Sequence, residues 1–404
     1  MKCGLLGRKL GHSYSPQIHS YLGDYSYELF EKEPEELQDF LMHGDFTGIN
    51  VTIPYKKDVI PHLDELTPIA RKLGAVNTIV RCGKKLIGHN TDYFGFRSML
   101  AKSGLSPAGK KSLVLGSGGA SSTVCSVLQE LGAEVIVISR SGENNYENLH
   151  LHADAAIIVN TTPVGMYPDT GKSAVELDGF PALEGVLDVI YNPARTKLLL
   201  DAESRGLVTM NGLWMLVSQA KEAAQWFSEK KIPDERIGQI HDILKKQMEN
   251  IILIGMPGCG KSTVGKLLAE RTGKRFVDID REIEYIAGKP IPQIFAEDGE
   301  TVFREWESTA LYLSGRGSGL VLSTGGGCVT RQHNYPLLHQ NGTIFWLQRD
   351  LSKLATDGRP LSQQNDLGGM YAVRAPLYHR FADHIISNDG SLEATVAQIM
   401  EALK

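Results

Sequence analysis

Long apolar runs are missing from this 404-residue chain: no uninterrupted stretch approaches the ~18 residues a membrane-spanning helix requires. The amino-terminal "MKCGLLGRKLGHS" is broken by Arg8, Lys9 and glycines before any apolar segment of signal length, so no secretory leader is expected. Cysteine is sparse too. The five present (Cys3, Cys82, Cys125, Cys259, Cys328) are scattered, odd in number and without a C-x-x-C pair, which suggests neither a disulfide framework nor a zinc site. An excess of basic charge is also lacking, since 42 Lys and Arg against 47 Asp and Glu leave a net charge of -5 and no basic surface for wrapping nucleic acid. Internal repeats, low-complexity tracts and Gly/Ser- or Pro-rich tethers are absent as well. The expectation is a soluble cytoplasmic protein that binds small molecules at local sites, with no nucleic acid or membrane partner. Its oligomeric state is left open.

At about one domain per 150 residues, the length allows two or three domains, each with its own core. Short apolar runs ("SLVLG", "EVIVIS", "AAIIVN", "GVLDVIY") alternate with helical segments, the βαβ pattern of a parallel sheet covered on both faces. A second such series starts at Asn250. The two series differ, so they read as different α/β domains and not as duplicates.

The stretch "KKSLVLGSGGASSTVCSVLQELGAEVIVISR" is a mononucleotide-binding unit in which one strand ends at Gly116, a helix begins near Ala120, and a second strand ends at Ser139-Arg140. Gly116 makes the turn, while Gly118 and Gly119 let backbone N–H groups approach a pyrophosphate at the positive helix end. The third glycine of G-x-G-x-x-G is Ser121 here. Where an NAD site has an acidic residue for the ribose 2′-hydroxyl, this chain has Ser139, Arg140 and Ser141, which suit a 2′-phosphate and favour NADP(H). The alternative is that Arg140 is a solvated surface arginine.

"IILIGMPGCGKST" (Ile251 to Thr263) holds the full G-x-x-x-x-G-K-S pattern between an expected strand and an expected helix. Gly255 to Ser262 supply amides for the β-phosphate, Lys261 meets the β/γ charge, and Ser262 reaches Mg²⁺.

Upstream lie "GHSYSP", "NVTIPYK", "GAVNT" and "HNTD", with "NGLWMLVSQA" further on, each dense in hydroxyl and amide groups suited to a polyhydroxylated acid. In this order and beside this βαβ unit they resemble shikimate dehydrogenase over roughly residues 1–248. The resemblance implies a substrate domain near 1–104 joined by returning helices 208–248, and a Rossmann-type NADP domain near 105–207. By it Ser13 and Ser15 hold the substrate carboxylate, while Asn50, Thr52, Asn77, Tyr191 and Gln219 line the ring site. Lys56 and Asp92 form the acid/base pair, since a lysine paired with a carboxylate can donate to a developing alkoxide and is oriented by its partner. Gly116, Ser117, Gly118, Gly119, Ala120, Ser121, Ser139, Arg140 and Gly212 touch the dinucleotide, and "NTTPVGM" (160–166) lies near the nicotinamide.

Downstream, "VDID", "FREWE", "STGGG", "GRPL" and "RAPLY" together resemble shikimate kinase over residues 250–404, a P-loop α/β domain with a parallel sheet. The resemblance implies Asp280 as base at the accepting hydroxyl, Asp278 on the Mg²⁺ waters, and Arg304 and Arg374 on the substrate carboxylate. Gly325, Gly326 and Gly327 close on the ring, and Arg359 enters from the lid. Gly255, Gly258, Cys259, Gly260, Lys261, Ser262 and Thr263 cradle ATP, with Ser262 and Asp278 at the metal. One departure stands out: the lid "DLSKLATDG" is short and lacks the arginine that packs on adenine, leaving Lys353 as a partial substitute. The expected activities are NADPH-dependent reduction of 3-dehydroshikimate and ATP-dependent 3-phosphorylation of shikimate. The alternatives are quinate oxidation with NAD, which Arg140 disfavours, and a half that has become a non-catalytic binding module.

Overall fold

The computed structural model describes residues 1–11, 13–354 and 367–404. Arg359 and the end of the short lid lie outside them. The chain divides into two compact units, one of Met1–Val164, Ser173–Tyr191 and Asp201–Ile243, the other of Gly165–Lys172, Asn192–Leu200 and Leu244–Lys404. Among the described residues, no helix is long and apolar enough to cross a membrane.

The first unit holds two sheets. One comprises β1 (Lys2–Gly7), β2 (Ser26–Glu31), β3 (Gly48–Val51), β4 (Glu65–Leu66), β5 (Thr78–Cys82) and β6 (Lys85–His89) in the order β2-β1-β3-β5-β6-β4. It is mixed, because β5 pairs antiparallel with both β3 and β6. The helix Leu213–Ser228 closes against it, so tightly that a Cβ on Gly48 would lie 2.2 Å from the Phe227 ring. The other sheet comprises β7 (Lys111–Leu115), β8 (Glu134–Ile138), β9 (Ile157–Asn160), β10 (Gly185–Asp188) and β11 (Val208–Met210) in the order β11-β10-β9-β7-β8, all parallel. Strand β9 is buried throughout, and β7 throughout but for Lys111, which explains why both read as continuous apolar runs without alternation. The chain order reverses between β8 and β9 around β7, so the glycine turn after β7 opens at the switch point where ligands bind α/β sheets.

The second unit is built on β12 (Asn250–Ile254), β13 (Arg275–Asp278), β14 (Leu320–Ser323), β15 (Gly342–Gln348) and β16 (His384–Ser387), a parallel sheet ordered β13-β14-β12-β15-β16. Strand β12, "NIILI", is fully buried at its centre. Its carboxyl end leads into the P-loop between β14 and β15, again at a switch point.

Candidate active sites

In the first unit, Asp92 opens the helix Asp92–Ser103, where first-turn amides favour a carboxylate. Lys56 reaches it from the loop after β3, Nζ donating to Asp92 Oδ2 at 2.6 Å, and both side chains keep partial exposure (26% and 15%) through which a substrate oxygen can approach. A layer of fixed amides and hydroxyls leads away from the pair. Asn77 Oδ1 accepts from the Thr91 amide at 2.6 Å, Asn77 Nδ2 donates to Thr91 Oγ1 at 3.0 Å, and Thr91 Oγ1 donates to Gln219 Oε1 at 3.4 Å. Asn50 Nδ2 donates to Thr78 Oγ1 at 3.1 Å. Asn50, Asn77 and Gln219 are thus joined through threonines that the motif reading did not assign. Thr52 is half-buried in the turn before Lys56. Ser13 Oγ accepts from the Ser15 amide at 3.2 Å, so Ser13 also shapes its own turn. Tyr191 meets Tyr14 edge-on at 6.1 Å, and burial raises its hydroxyl pKa, with Tyr14 adding to the effect.

Tyr27 was not legible as a site residue. Its hydroxyl donates to Asn50 Oδ1 at 2.8 Å and its ring stacks on His19 at 4.0 Å. Burial lowers the His19 pKa to about 3 and that of His89 to about 4. Both histidines therefore fold neutral, whereas the unfolded chain binds their protons below about pH 6.5. The first unit should lose stability as pH falls from 6.5 towards 4, by up to ~1.4 kcal/mol per pH unit for each histidine. Urea midpoints followed by loss of dehydrogenase activity at pH 7 and pH 5 check this; equal midpoints would refute it.

At the dinucleotide turn Gly116 has φ +101°, and a Cβ there would lie 2.9 Å from Thr162 Cγ2, so only glycine fits. Around Gly118 and Gly119 the space is open. The helix Gly119–Glu130 has no side-chain cap, which leaves its first amides for a pyrophosphate. Ser117 is exposed beside them and Ala120 half-buried. Ser121 is different from the expectation: its side chain is buried with Oγ 3.9 Å from Cys125 Sγ, so it fills the helix–sheet packing position and has only its backbone to offer a ligand. Gly212 likewise has a packing reason, because a Cβ would stand 2.0 Å from Val189 O. Arg140 stands exposed just past β8, next to the half-buried Ser139, and is in no ion pair with a described carboxylate.

In the second unit a cavity of about 580 Å³ runs from the P-loop past Asp280 to Arg304 and Arg374. Gly255, Gly258 and Gly260 all take positive φ, the backbone a phosphate-binding loop of this pattern needs, with Cys259 buried between them and Thr263 on the wall. Lys261 is buried and its Nζ donates to Gly255 O at 2.9 Å and Met256 O at 3.0 Å, a grip on the loop that a phosphate can take over. Ser262 Oγ donates to Asp278 Oδ2 at 2.8 Å, two hard oxygens side by side, and this fits Mg²⁺. Asp278 also caps the helix Ile279–Ala287, accepting from the Asp280 amide at 3.2 Å.

At the acceptor end the glycine run is required by close approach. A Cβ on Gly325 would meet Glu307 Oε1 at 2.6 Å and Asp280 Oδ1 at 3.1 Å, and one on Gly327 would meet the Arg304 guanidinium at 2.2 Å. Gly326 O accepts from Arg374 Nη1 at 3.3 Å and from Tyr378 Oη. Arg304 is bound by Glu307 at 2.8 Å and by Glu300 at 3.0 Å. Glu307 is fully buried, and among the described residues its Oε1 has no partner; burial pushes its carboxyl pKa up while Arg304 opposes the shift. For Arg304 burial works downward, and the Glu307 and Glu300 carboxylates together outweigh it, leaving the guanidinium pKa raised. Glu307 lay within the quoted "FREWE" yet was not assigned. Lys353 pairs with Asp389 at 3.5 Å, and it is not among the residues that line the cavity.

The two units therefore differ in kind: the first is arranged to move a proton beside a dinucleotide site, the second to move a phosphoryl group, and the chain is an oxidoreductase joined to a kinase. Residues 5–79 match the family model of the shikimate dehydrogenase substrate binding domain, and residues 257–404 that of shikimate kinase. Shikimate dehydrogenase (NADP(+)) of Clostridium perfringens (strain SM101 / Type A) is 36% identical over 265 residues, covering 60% of this chain and 97% of that protein. Among solved structures, a chorismate mutase/shikimate 5-dehydrogenase fusion protein from Clostridium acetobutylicum aligns with TM-score 0.58 and 35% identity over 61% of this chain and 97% of that one. Shikimate 5-dehydrogenase from Thermus thermophilus, in complex with NADP(H) and shikimate, aligns with TM-score 0.54 and 30% identity over 60% and 98%. The chain belongs to the shikimate dehydrogenase family and carries a shikimate kinase domain after it, which makes it a bifunctional enzyme of the shikimate pathway that uses NADP(H) and ATP.

Proposed function

We propose that the first unit reduces 3-dehydroshikimate at the Lys56–Asp92 pair and that the second phosphorylates the hydroxyl so formed. The observation that carries this is the coexistence of the 2.6 Å Lys56–Asp92 contact with a P-loop whose Ser262 is 2.8 Å from Asp278. Bound NADPH supplies the hydride. Lys56 donates its proton to the oxygen as charge develops there, and Asp92 holds the ammonium in place. Ser13 and Ser15 take the substrate carboxylate, and Asn50, Thr52, Asn77, Tyr191 and Gln219 orient the ring. Gly118, Gly119 and the first amides of the helix Gly119–Glu130 hold the pyrophosphate, with Arg140 on the 2′-phosphate.

In the kinase, bound MgATP supplies the phosphoryl group. Arg304 and Arg374 fix the shikimate carboxylate, Asp280 accepts the proton of the attacking hydroxyl, and Lys261 with the loop amides stabilises charge on the transferring group. Ser262 and Asp278 hold the metal and its waters. Arg359 belongs to this set by resemblance. One oxygen then serves both reactions: it is the ketone oxygen in the first and the nucleophile in the second.

Incubating the full chain with 3-dehydroshikimate, NADPH and MgATP should yield shikimate 3-phosphate, with ADP release dependent on NADPH. ADP release of the same rate without NADPH would overturn the order. Arg140→Ala should weaken NADP(H) binding about 10- to 100-fold, the value of a charge-assisted contact of roughly 1.5–3 kcal/mol, and leave NAD(H) nearly unchanged. Equal losses for the two cofactors, measured by fluorescence titration, would remove Arg140 from the 2′-phosphate.

A further inference from the structure

The lid lacks the arginine expected on adenine and Lys353 is paired with Asp389, yet another cation stands at the P-loop cavity. Arg349 directly follows β15, which pairs with the P-loop strand β12 through Ile254 and Trp346, so both emerge at the same end of the sheet. It lines the cavity with Gly258, Gly260, Lys261 and Thr263. A Cβ on Gly260 would stand 3.7 Å from Arg349 Nη1 and 2.8 Å from Asn388 Nδ2. Asn388 is committed, since its Nδ2 donates to Cys259 O at 2.6 Å and holds the loop in shape. Arg349 is not: among the described residues its buried Nε has no hydrogen-bond partner, and it forms no ion pair with a described carboxylate. A buried N–H donor left without an acceptor is costly, and the cavity it shares is built to hold phosphate oxygens.

We infer that Arg349 is a nucleotide-binding residue of the kinase that grips the triphosphate of ATP from the end of β15, in the cavity it shares with Lys261, and offsets the missing lid arginine. This rests on the kinase reading above. A phosphate is favoured over the base because the guanidinium lies against the last P-loop glycine, where the cradle holds phosphates, and its planar fork matches phosphate oxygens. Nucleotide affinity then resides largely in the phosphates, and the kinase should discriminate poorly between ATP and GTP.

The test is calorimetric titration of the full chain and its Arg349→Ala, Arg349→Lys and Lys261→Met variants with MgATP and MgGTP. Arg349→Ala should weaken both nucleotides equally, about 10- to 100-fold, while the shikimate KM and the dehydrogenase rate stay at the parent values. Arg349→Lys should restore part of the affinity, since it keeps the charge and loses the fork. Parental ATP affinity in Arg349→Ala, alongside its loss in Lys261→Met, overturns the inference alone. Parental affinity in both variants overturns the kinase reading with it. A loss for ATP without one for GTP assigns Arg349 to the base and overturns the phosphate contact. If Arg349→Ala does not fold, Arg349→Lys decides: an equal loss of about fivefold or more for both nucleotides supports the inference, and parental affinity overturns it.

Discussion

In the Lys56→Met variant, reduction of 3-dehydroshikimate falls about 10²- to 10⁴-fold while phosphorylation of added shikimate keeps its parental rate. The magnitude is that of a general acid removed from the reacting oxygen. Methionine retains the length of the lysine stem but cannot donate, and Asp92 at the start of its helix is left without the ammonium at 2.6 Å. Lys261→Met gives the mirror result, because in the proposed mechanism Nζ, which donates to the Gly255 and Met256 carbonyls, brings its charge to a bound phosphate. The polar groups of each site come from separate units, so neither substitution reaches the other reaction. Steady-state assays with NADPH oxidation and ADP release as separate readouts measure this. Loss of both activities from either change, in a chain with parental circular dichroism, would remove the two-site description.

Arg304→Met should destabilise the kinase unit by about 3–5 kcal/mol and lower shikimate phosphorylation by at least about 10²-fold. Arg304 and Glu307 are both buried and 2.8 Å apart, and removing the guanidinium leaves a carboxyl whose Oε1 already has no partner among the described residues. Combining Arg304→Met with Glu307→Leu should recover most of the stability, because two apolar groups can replace a buried ion pair at little cost. Activity should not return with it, since the proposed carboxylate clamp still lacks Arg304. Urea unfolding followed by Trp306 and Trp346 fluorescence, with shikimate titrations, separates the two effects. A single variant as stable as the parent would show the pair to be unimportant for folding, and an active double variant would take Arg304 out of the substrate site.

Much of the chemistry lies in short contiguous signals. The P-loop, the glycine turn at Gly116 and the strand runs around them are local, because each needs only a buried strand, a turn with positive φ and a helix in succession. Gly325 to Gly327 were legible as a motif, although their cause, the close approach of Glu307, Asp280, Pro257 and Arg304, is tertiary. Lys56 and Asp92 were named as a pair only through family resemblance, since 36 residues separate them.

By itself the sequence determined the two α/β series, their order along the chain, and the backbone geometry of both phosphate cradles, since periodicity and glycine placement act over a few residues. Only the tertiary structure decided which side chains face the sites. It set Tyr27 beneath Asn50, turned Ser121 inward to Cys125, drew Lys353 to Asp389 and placed Arg349 against Gly260. Each depends on which strands become neighbours in a sheet and on how closely a helix lies on it, quantities fixed by the packing of the whole unit and not by any one stretch of chain.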